Sequence, residues 1–222
     1  MFANNQNIVR LFAALCIALL LGACSTPKSE FLTIEGEALG TFVQVKCNTS
    51  LEEDELIAIV RRIDTEAKES MSIFNESSLL SKINRNDTDS LDCHIIRNIE
   101  LAERFSKLSN GAYDITIKPL TEAWGFAAEK SDGSTPNIDS LLDFVGYNKI
   151  LVCDGRLCKA DTRVEIDLNS IAKGYTVDLV AEELEKRGIT DYMVNIGGEI
   201  RCRGVNAKSE CWTIGIETPY DG

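Results

Sequence analysis

Residues 165–184, EIDLNSIAKGYTVDLVAEEL, hold the side chains best suited to chemistry. A carboxylate, a turn, a lysine and a glycine stand immediately before an amphipathic helical pattern. A helix N-terminus offers unpaired backbone N–H groups and a partial positive charge, and both attract an anion such as phosphate. Lys173 and Gly174 fall in the expected first turn, where a cation and a small residue let an anion come close. Asp167, just before the turn, can accept hydrogen bonds from a ligand or help to hold a divalent cation. The same residues admit a purely structural reading, in which Asp167 or Asn169 caps the helix and Lys173 is solvated.

The surrounding sequence must supply the elements that position this turn. Residues 33–46, TIEGEALGTFVQVK, read as extended chain interrupted by Gly36 and Gly40. A helix is expected next, with Ser50 and Glu53 at capping-box spacing and an apolar stripe of Leu56, Ile59, Val60, Ile63 and Ala67. A second helix is expected over 93–108, with Ile95, Ile99, Ala102 and Phe105 inward and Gly111 just past its end. Asp154-Gly155 signals a hairpin. The helix after the phosphate-type turn should run from about Ser170 to Arg187 and stop at Gly188. Residues 192–204 and 211–217 read as strands, and 127–137 as a loose polar segment. Gly197-Gly198, paired within a strand pattern, mark a bulge or a close backbone approach that supports a pocket. Strands and helices mix without a strict βαβ rhythm, so the fold class expected is α+β.

Composition narrows the function. The 222 residues are 44% hydrophobic and 26% charged, enough for one substantial core or one domain with two lobes. Acidic residues outnumber basic ones 35 to 23, a net charge of -12, and no basic run offsets it, so nucleic acid is excluded as a partner. Residues 11–21, LFAALCIALLL, are too short to span a bilayer but suit a signal-peptide core. The run ends in Leu21-Gly22-Ala23-Cys24, which resembles a bacterial lipoprotein signal. On that reading residues 1–23 are removed, Cys24 carries lipid, 24–32 form a linker, and the domain occupies 33–222. The chain is then expected to be exported and anchored at the periplasmic face of a membrane, inner or outer. Cys16 leaves with the signal, and six of the eight cysteines remain. An even number in an exported chain suggests disulfides. Cys153 with Cys158 and Cys202 with Cys211 look like local pairs, leaving Cys47 with Cys93. A zinc site is disfavoured by the cysteine spacings and the single histidine, His94.

Taken together, several blocks resemble the ApbE-type FAD:protein FMN transferase family. DLNSIAKGYTVD and VNIGGEIR are similar to the family's DLGGIAKGYAVD and NLGGEIR. ALGTF at 38–42, MSIFNESSLLSKIN at 71–84, GAYDITIKPLTEAWGF at 111–126 and WTIGIETP at 212–219 follow in the family's order. The resemblance implies an α+β fold with mostly antiparallel strands, FAD as substrate and Mg2+ as cofactor. The implied reaction moves FMN from FAD to a threonine of a target protein and releases AMP. Targets would be membrane redox subunits such as those of sodium-pumping NADH:quinone reductase and Rnf complexes.

Site roles follow by position. Leu39 stands where the family has a flavin-contacting methionine, and Phe74 replaces a tyrosine. Ala112, Tyr113 and Asp114 match its FAD-contacting Ala-Phe-Asp. Asp167 and Lys173 occupy FAD-binding positions, and Ser170 sits where a residue serves the magnesium site through its backbone carbonyl. The family's catalytic histidine and remaining magnesium ligands belong to a segment after the last matching block. The 222 residues stop at Gly222 before it, so a C-terminally truncated domain with little transferase activity of its own is expected. His94-Ile95-Ile96 echoes the histidine motif but falls at a helix start and is read as a helix residue. Two other readings use the same site: an FAD pyrophosphatase, with water replacing threonine, and a catalytically incomplete flavin-binding lipoprotein.

Overall fold

Period-two burial builds the main sheet. In the computed structural model, which describes residues 30–126 and 137–216, β1 (Glu30–Ala38) and β2 (Thr41–Thr49) form a hairpin. Val43, Val45, Cys47 and Thr49 alternate inward along β2. The expected leader, Cys24, nearly all of 127–137 and the end of the 212–219 block lie outside the described residues. β1 starts three residues earlier than expected, at Glu30 rather than Thr33.

Beyond the hairpin lie α1 (Glu53–Met71), α2 (Leu79–Asn84) and α3 (Cys93–Leu108). The short helices α4 (Lys118–Ala123) and α5 (Ile138–Leu142) follow. A second hairpin joins β3 (Ile150–Cys153) to β4 (Arg156–Lys159), then come α6 (Ala172–Lys186), β5 (Tyr192–Ile196) and β6 (Glu199–Arg203). The main sheet runs β1-β2-β5-β6, and every pairing in both sheets is antiparallel. The α+β expectation therefore holds. Among the described residues no helix is long and apolar enough to cross a membrane.

Two apolar clusters share α1 and α6. Leu56, Ile59, Val60 and Ile63 of α1 pack with Val177, Val180, Ala181 and Leu184 of α6 against the sheet. Ala67 and Met71 of α1 and Tyr175 of α6 belong instead to a second cluster with α2, α3 and Leu157 of β4. Burying each large aliphatic side chain contributes roughly 1.5–3 kcal/mol. Leu39, in the β1–β2 turn, packs against both clusters.

Several local expectations shift. The capping box of α1 is Glu52 with Glu55, not Ser50 with Glu53, because β2 runs to Thr49 and the chain needs the next residues to turn. On α3 the inward position falls to Ser106, while Phe105 is exposed and meets the Tyr113 ring edge-on. Gly197-Gly198 form the tight β5–β6 turn, both with positive φ, and a Cβ on Gly197 would lie 2.6 Å from Thr41 Cγ2. The close approach is present; the bulge is not. Residues 211–216 form no named strand, only an isolated bridge from Cys211 to Val205. All six cysteines in the described residues are free thiols. Cys47 is buried in the sheet cluster, which pushes its thiol up to about 11, while Cys93 is exposed at the start of α3. Cys202 lies opposite Met193 rather than Cys211.

α6 is tied to the sheet by Glu185. Its carboxylate accepts from the Tyr192 hydroxyl at 2.5 Å and from Arg201 at 3.1 Å, with Arg203 at 3.4 Å. The Tyr192 hydrogen bond, foremost among these, holds Glu185 below its ordinary value of 4.5. A depressed folded-state pKa contributes stability above the unfolded value and loses it as pH falls through the folded value. Stability should therefore fall on acidification below 4.5, and Glu185→Gln should remove part of that slope. Denaturant midpoints measured on both sides of this pH check it.

Candidate functional site

The approach to α6 is buried yet neither helix nor strand. Val164, Ile166 and Leu168 are fully inaccessible in this irregular stretch. Buried backbone groups need partners, and Asn84 provides them from α2. Its Nδ2 donates to the Ile166 carbonyl and its Oδ1 accepts from the Ile166 amide, both at 2.8 Å. The neighbouring Asp167 amide donates to the Ile115 carbonyl at 2.7 Å. Lys118 Nζ, from α4, bonds both Glu122 and Glu165. Burial alone would lower the Lys118 pKa, but the bonds to the two carboxylates outweigh it and leave the pKa raised.

The N-terminus of α6 carries no side-chain cap. Leu168 carbonyl accepts from the Ile171 and Ala172 amides, and Ile171 carbonyl from Tyr175. The amides between them, of Lys173 and Gly174, have no backbone acceptor outside the helix among the described residues. A Cβ on Gly174 would meet nothing within 4 Å, so space lies open there. Asp167 does not cap the helix itself. Its Oδ1 takes the Asn169 amide at 2.8 Å, and Thr121 approaches Oδ2 at 3.5 Å.

This terminus helps to form a cleft of about 600 Å³ whose wall includes Leu39, Phe74, Met71, Lys68, Ala172 and Lys173. Leu39 adopts φ +52°, a left-handed conformation unfavourable for leucine, beside Gly40 at +71°. Asp64 on α1 holds it there, accepting the Leu39 amide on Oδ1 at 2.7 Å and the Lys68 ammonium on Oδ2 at 2.7 Å. Phe74 is placed by Ser72, whose hydroxyl accepts the amides of Phe74 and Asn75 at 3.1 and 3.2 Å. Ser78 Oγ in turn donates to the Ser72 carbonyl at 2.6 Å. Lys173 Nζ reaches toward the Gly197 carbonyl, 3.5 Å away, so the β5–β6 turn stands behind it.

The structure thus brings Leu39, Phe74 and Lys173 around one cleft. Ser170 lies in the turn two residues before α6, with its hydroxyl 3.0 Å from the Tyr113 hydroxyl. Asp114 is committed to Thr116, at 2.8 Å through the amide and 2.7 Å through the hydroxyl, and to the Tyr147 amide at 2.7 Å. It organises the turn below Tyr113. Ala112 is exposed just before it. His94 is a helix residue, as expected, with Nδ1 2.9 Å from the Tyr175 hydroxyl. Burial pushes that tyrosine up to about 12.

Magnesium finds a partial fit. Among the described residues no group of three or more His, Cys, Asp or Glu converges as a metal cluster. Asp167 Oδ2 has only its long contact to Thr121, and no hydrogen bond among the described residues ends on the Ser170 carbonyl. Mg2+ usually takes one or two carboxylates and completes its octahedron with water and phosphate oxygens. These two oxygens suit part of such a shell.

Three supporting residues were not singled out in the sequence: Asp64, Lys68 and Asn84. Asn84 ends the MSIFNESSLLSKIN block, so its block was visible although its role was not. Asp64 carries no sequence signal, since its partner lies 25 residues away. Replacing Asn84 with Ala leaves a buried amide and carbonyl unpaired and should cost about 2–4 kcal/mol of stability, measurable by chemical denaturation.

Comparison with known proteins agrees with the geometry. The ApbE family pattern matches residues 39–222. The chain is similar to the FAD:protein FMN transferase of Haemophilus influenzae, 36% identical over 233 residues, covering 96% of this chain and 66% of that protein. The FAD:protein FMN transferase of Vibrio cholerae is 32% identical over 215 residues, covering 93% and 64%. The solved flavin transferase ApbE from Vibrio cholerae superposes with a TM-score of 0.80 at 30% identity, covering 86% of this chain and 65% of that chain. The chain thus spans just under two thirds of the length of these curated relatives. A family match running from the Leu39 turn through the α6 terminus to the last residue takes in the whole cleft, and the protein belongs to the ApbE family.

Proposed function

We propose that the full-length protein is a Mg2+-dependent FAD:protein FMN transferase. It moves the FMN half of FAD to a threonine hydroxyl of a target redox protein and releases AMP. The observation that carries this reading is the uncapped first turn of α6, where Lys173 enters the wall of a cleft that Leu39 and Phe74 also line. Transfer of FMN from FAD to a protein is also what the names of its relatives describe.

The threonine oxygen attacks the phosphorus of the FMN half, the bond to the AMP phosphate breaks, and the hydroxyl proton leaves. Catalysis of such a step is mainly positioning and charge stabilisation. Lys173 and the amides of Lys173 and Gly174 would hold the diphosphate, while Leu39 and Phe74 offer apolar contact to the ring system. Asp167 and the Ser170 carbonyl would hold the metal or ligand hydroxyls, with Tyr113 steadying Ser170. When bound, Mg2+ would neutralise charge building on the diphosphate. Asp114 would serve by fixing the turn that carries Ala112 and Tyr113. The proposed setting is the periplasmic face of a membrane, with lipid on Cys24 and targets of the sodium-pumping NADH:quinone reductase or Rnf type.

Incubating the full-length protein with FAD, Mg2+ and a threonine-bearing acceptor should yield acceptor heavier by FMN, together with AMP. AMP without a flavinylated acceptor would favour the pyrophosphatase reading. Asp167→Ala and Lys173→Ala should each weaken FAD binding roughly 10–100-fold by calorimetry, the size expected of a lost charge-assisted hydrogen bond. Unchanged affinity and transfer in both variants would remove this site from consideration. Cys24→Ser should abolish incorporation of labelled fatty acid and release the protein from membranes.

A further inference from the structure

The β3–β4 hairpin has two chemically different faces. Its register sets Leu151 opposite Cys158 and Cys153 opposite Arg156, so these four share one face. Ile150, Val152 and Leu157 occupy the other, packed into the second apolar cluster. Asp154 and Gly155, at φ +48° and +74°, make a two-residue turn of the strongly twisted kind. Cys153 and Cys158 are therefore diagonal neighbours on the solvent side, one partly accessible and the other exposed. In a flat ladder a diagonal pair stands too far apart to bridge. The strong twist of this two-residue hairpin draws one diagonal together, and the neighbouring Cys158 side chain is the leading cause that raises the Cys153 thiol above its ordinary value.

Among the described residues no other cysteine pair has this relation. Cys47 is buried, Cys202 faces Met193, and Cys211 faces Val205. The flavin-site residues do not involve the hairpin face, so its chemistry stands apart from the proposed transfer. What the hairpin does is structural. Its β4 strand bonds the 89–91 segment through Leu157 amide to Asp89 carbonyl at 2.7 Å, and Gly155 carbonyl accepts the Leu91 amide at 2.9 Å. Lys159 Nζ then ties β4 to the Ile83 carbonyl at 2.9 Å, beside the Asn84 that grips Ile166.

We propose that Cys153 and Cys158 are an oxidisable pair that closes to a disulfide clasping the β3–β4 hairpin. The oxidant is an external disulfide, on a protein or a small thiol. One cysteine, as thiolate, attacks it to give a mixed disulfide and expels one thiolate; the second cysteine attacks the mixed disulfide and expels the other. Two protein S–H bonds and the external S–S bond are lost. One protein S–S bond and two external thiols form, and two electrons pass to the oxidant. Because the attacking species is the thiolate, closure speeds up as pH rises.

The full chain, reduced and then exposed to oxidised glutathione, is alkylated, digested with trypsin without reductant and analysed by mass spectrometry. Trypsin cuts between the two cysteines at Arg156, so closure joins two peptides into one species lighter by two hydrogens. The expected result is this linked species as the dominant disulfide, reopened by dithiothreitol. Cys153→Ser and Cys158→Ser should each leave the surviving cysteine as a glutathione adduct. Separate alkylation or separate glutathionylation of the two cysteines in the unmutated chain would overturn the proposal. So would a spread of pairings with the exposed Cys93, Cys202 and Cys211.

Discussion

A run of backbone that is buried without being helix or strand must borrow its hydrogen bonds from elsewhere. Residues 164–168 are such a run, and the site depends on how that debt is met. Asn84 acts as a surrogate strand of one residue, offering Ile166 both a donor and an acceptor. Ile115 serves Asp167, and Leu168 serves the amides of Ile171 and Ala172. With each neighbour fixed, the chain enters α6 along one path. The first-turn amides of that helix are then aimed by the hydrogen bonds that hold the segment before them.

The cleft arises at the seam between the two apolar clusters. α1 and α6 each contribute to both, so they act as beams across the seam, and the gap opens beside their shared ends. Among the described residues Leu39 is the one turn residue that packs against both clusters, and it does so in a conformation leucine disfavours. Strain of this kind persists only where surroundings over-determine it and concentrates at functional places. Asp64 supplies the determination, bonding the Leu39 amide on one oxygen and Lys68 on the other. A single carboxylate thus fixes an apolar wall and a cation of the same cleft.

What could be read from sequence divides by the range of the interaction. α3 has the expected bounds, the α1 stripe is buried as expected, and Asp154-Gly155 makes its turn, because period, caps and turn chemistry act over a few residues. Placement of the α1 cap failed by two residues, since the length of the preceding strand decided it. Phe105 and the 211–216 segment failed for want of knowing their neighbours: Phe105 lies at the edge of α3 against Tyr113, and 211–216 have no adjacent strand among the described residues. In the candidate site, family blocks pointed to Leu39, Phe74 and Lys173, and these three line one cleft. The bonds that hold it together span 25 residues for Asp64 and 82 for Asn84, and no local pattern announces them.

A net charge of -12 opposes an anionic ligand at long range, yet the difficulty is one of scale. A polyanion samples the whole surface and feels the net charge, whereas a diphosphate samples one helical turn. At physiological ionic strength exposed charges are screened beyond about 8 Å. Within the site, carboxylates are already engaged: Asp64 with Lys68 and an amide, Asp114 with three donors, Asp167 with the Asn169 amide. Lys173 has no carboxylate partner among the described residues, only the distant Gly197 carbonyl. Its charge and the two uncommitted amides therefore stand together at the mouth of the helix. A negative net charge therefore does not by itself argue against the small phosphate ligand proposed for this turn, because the nearby carboxylates already accept hydrogen bonds from the fold.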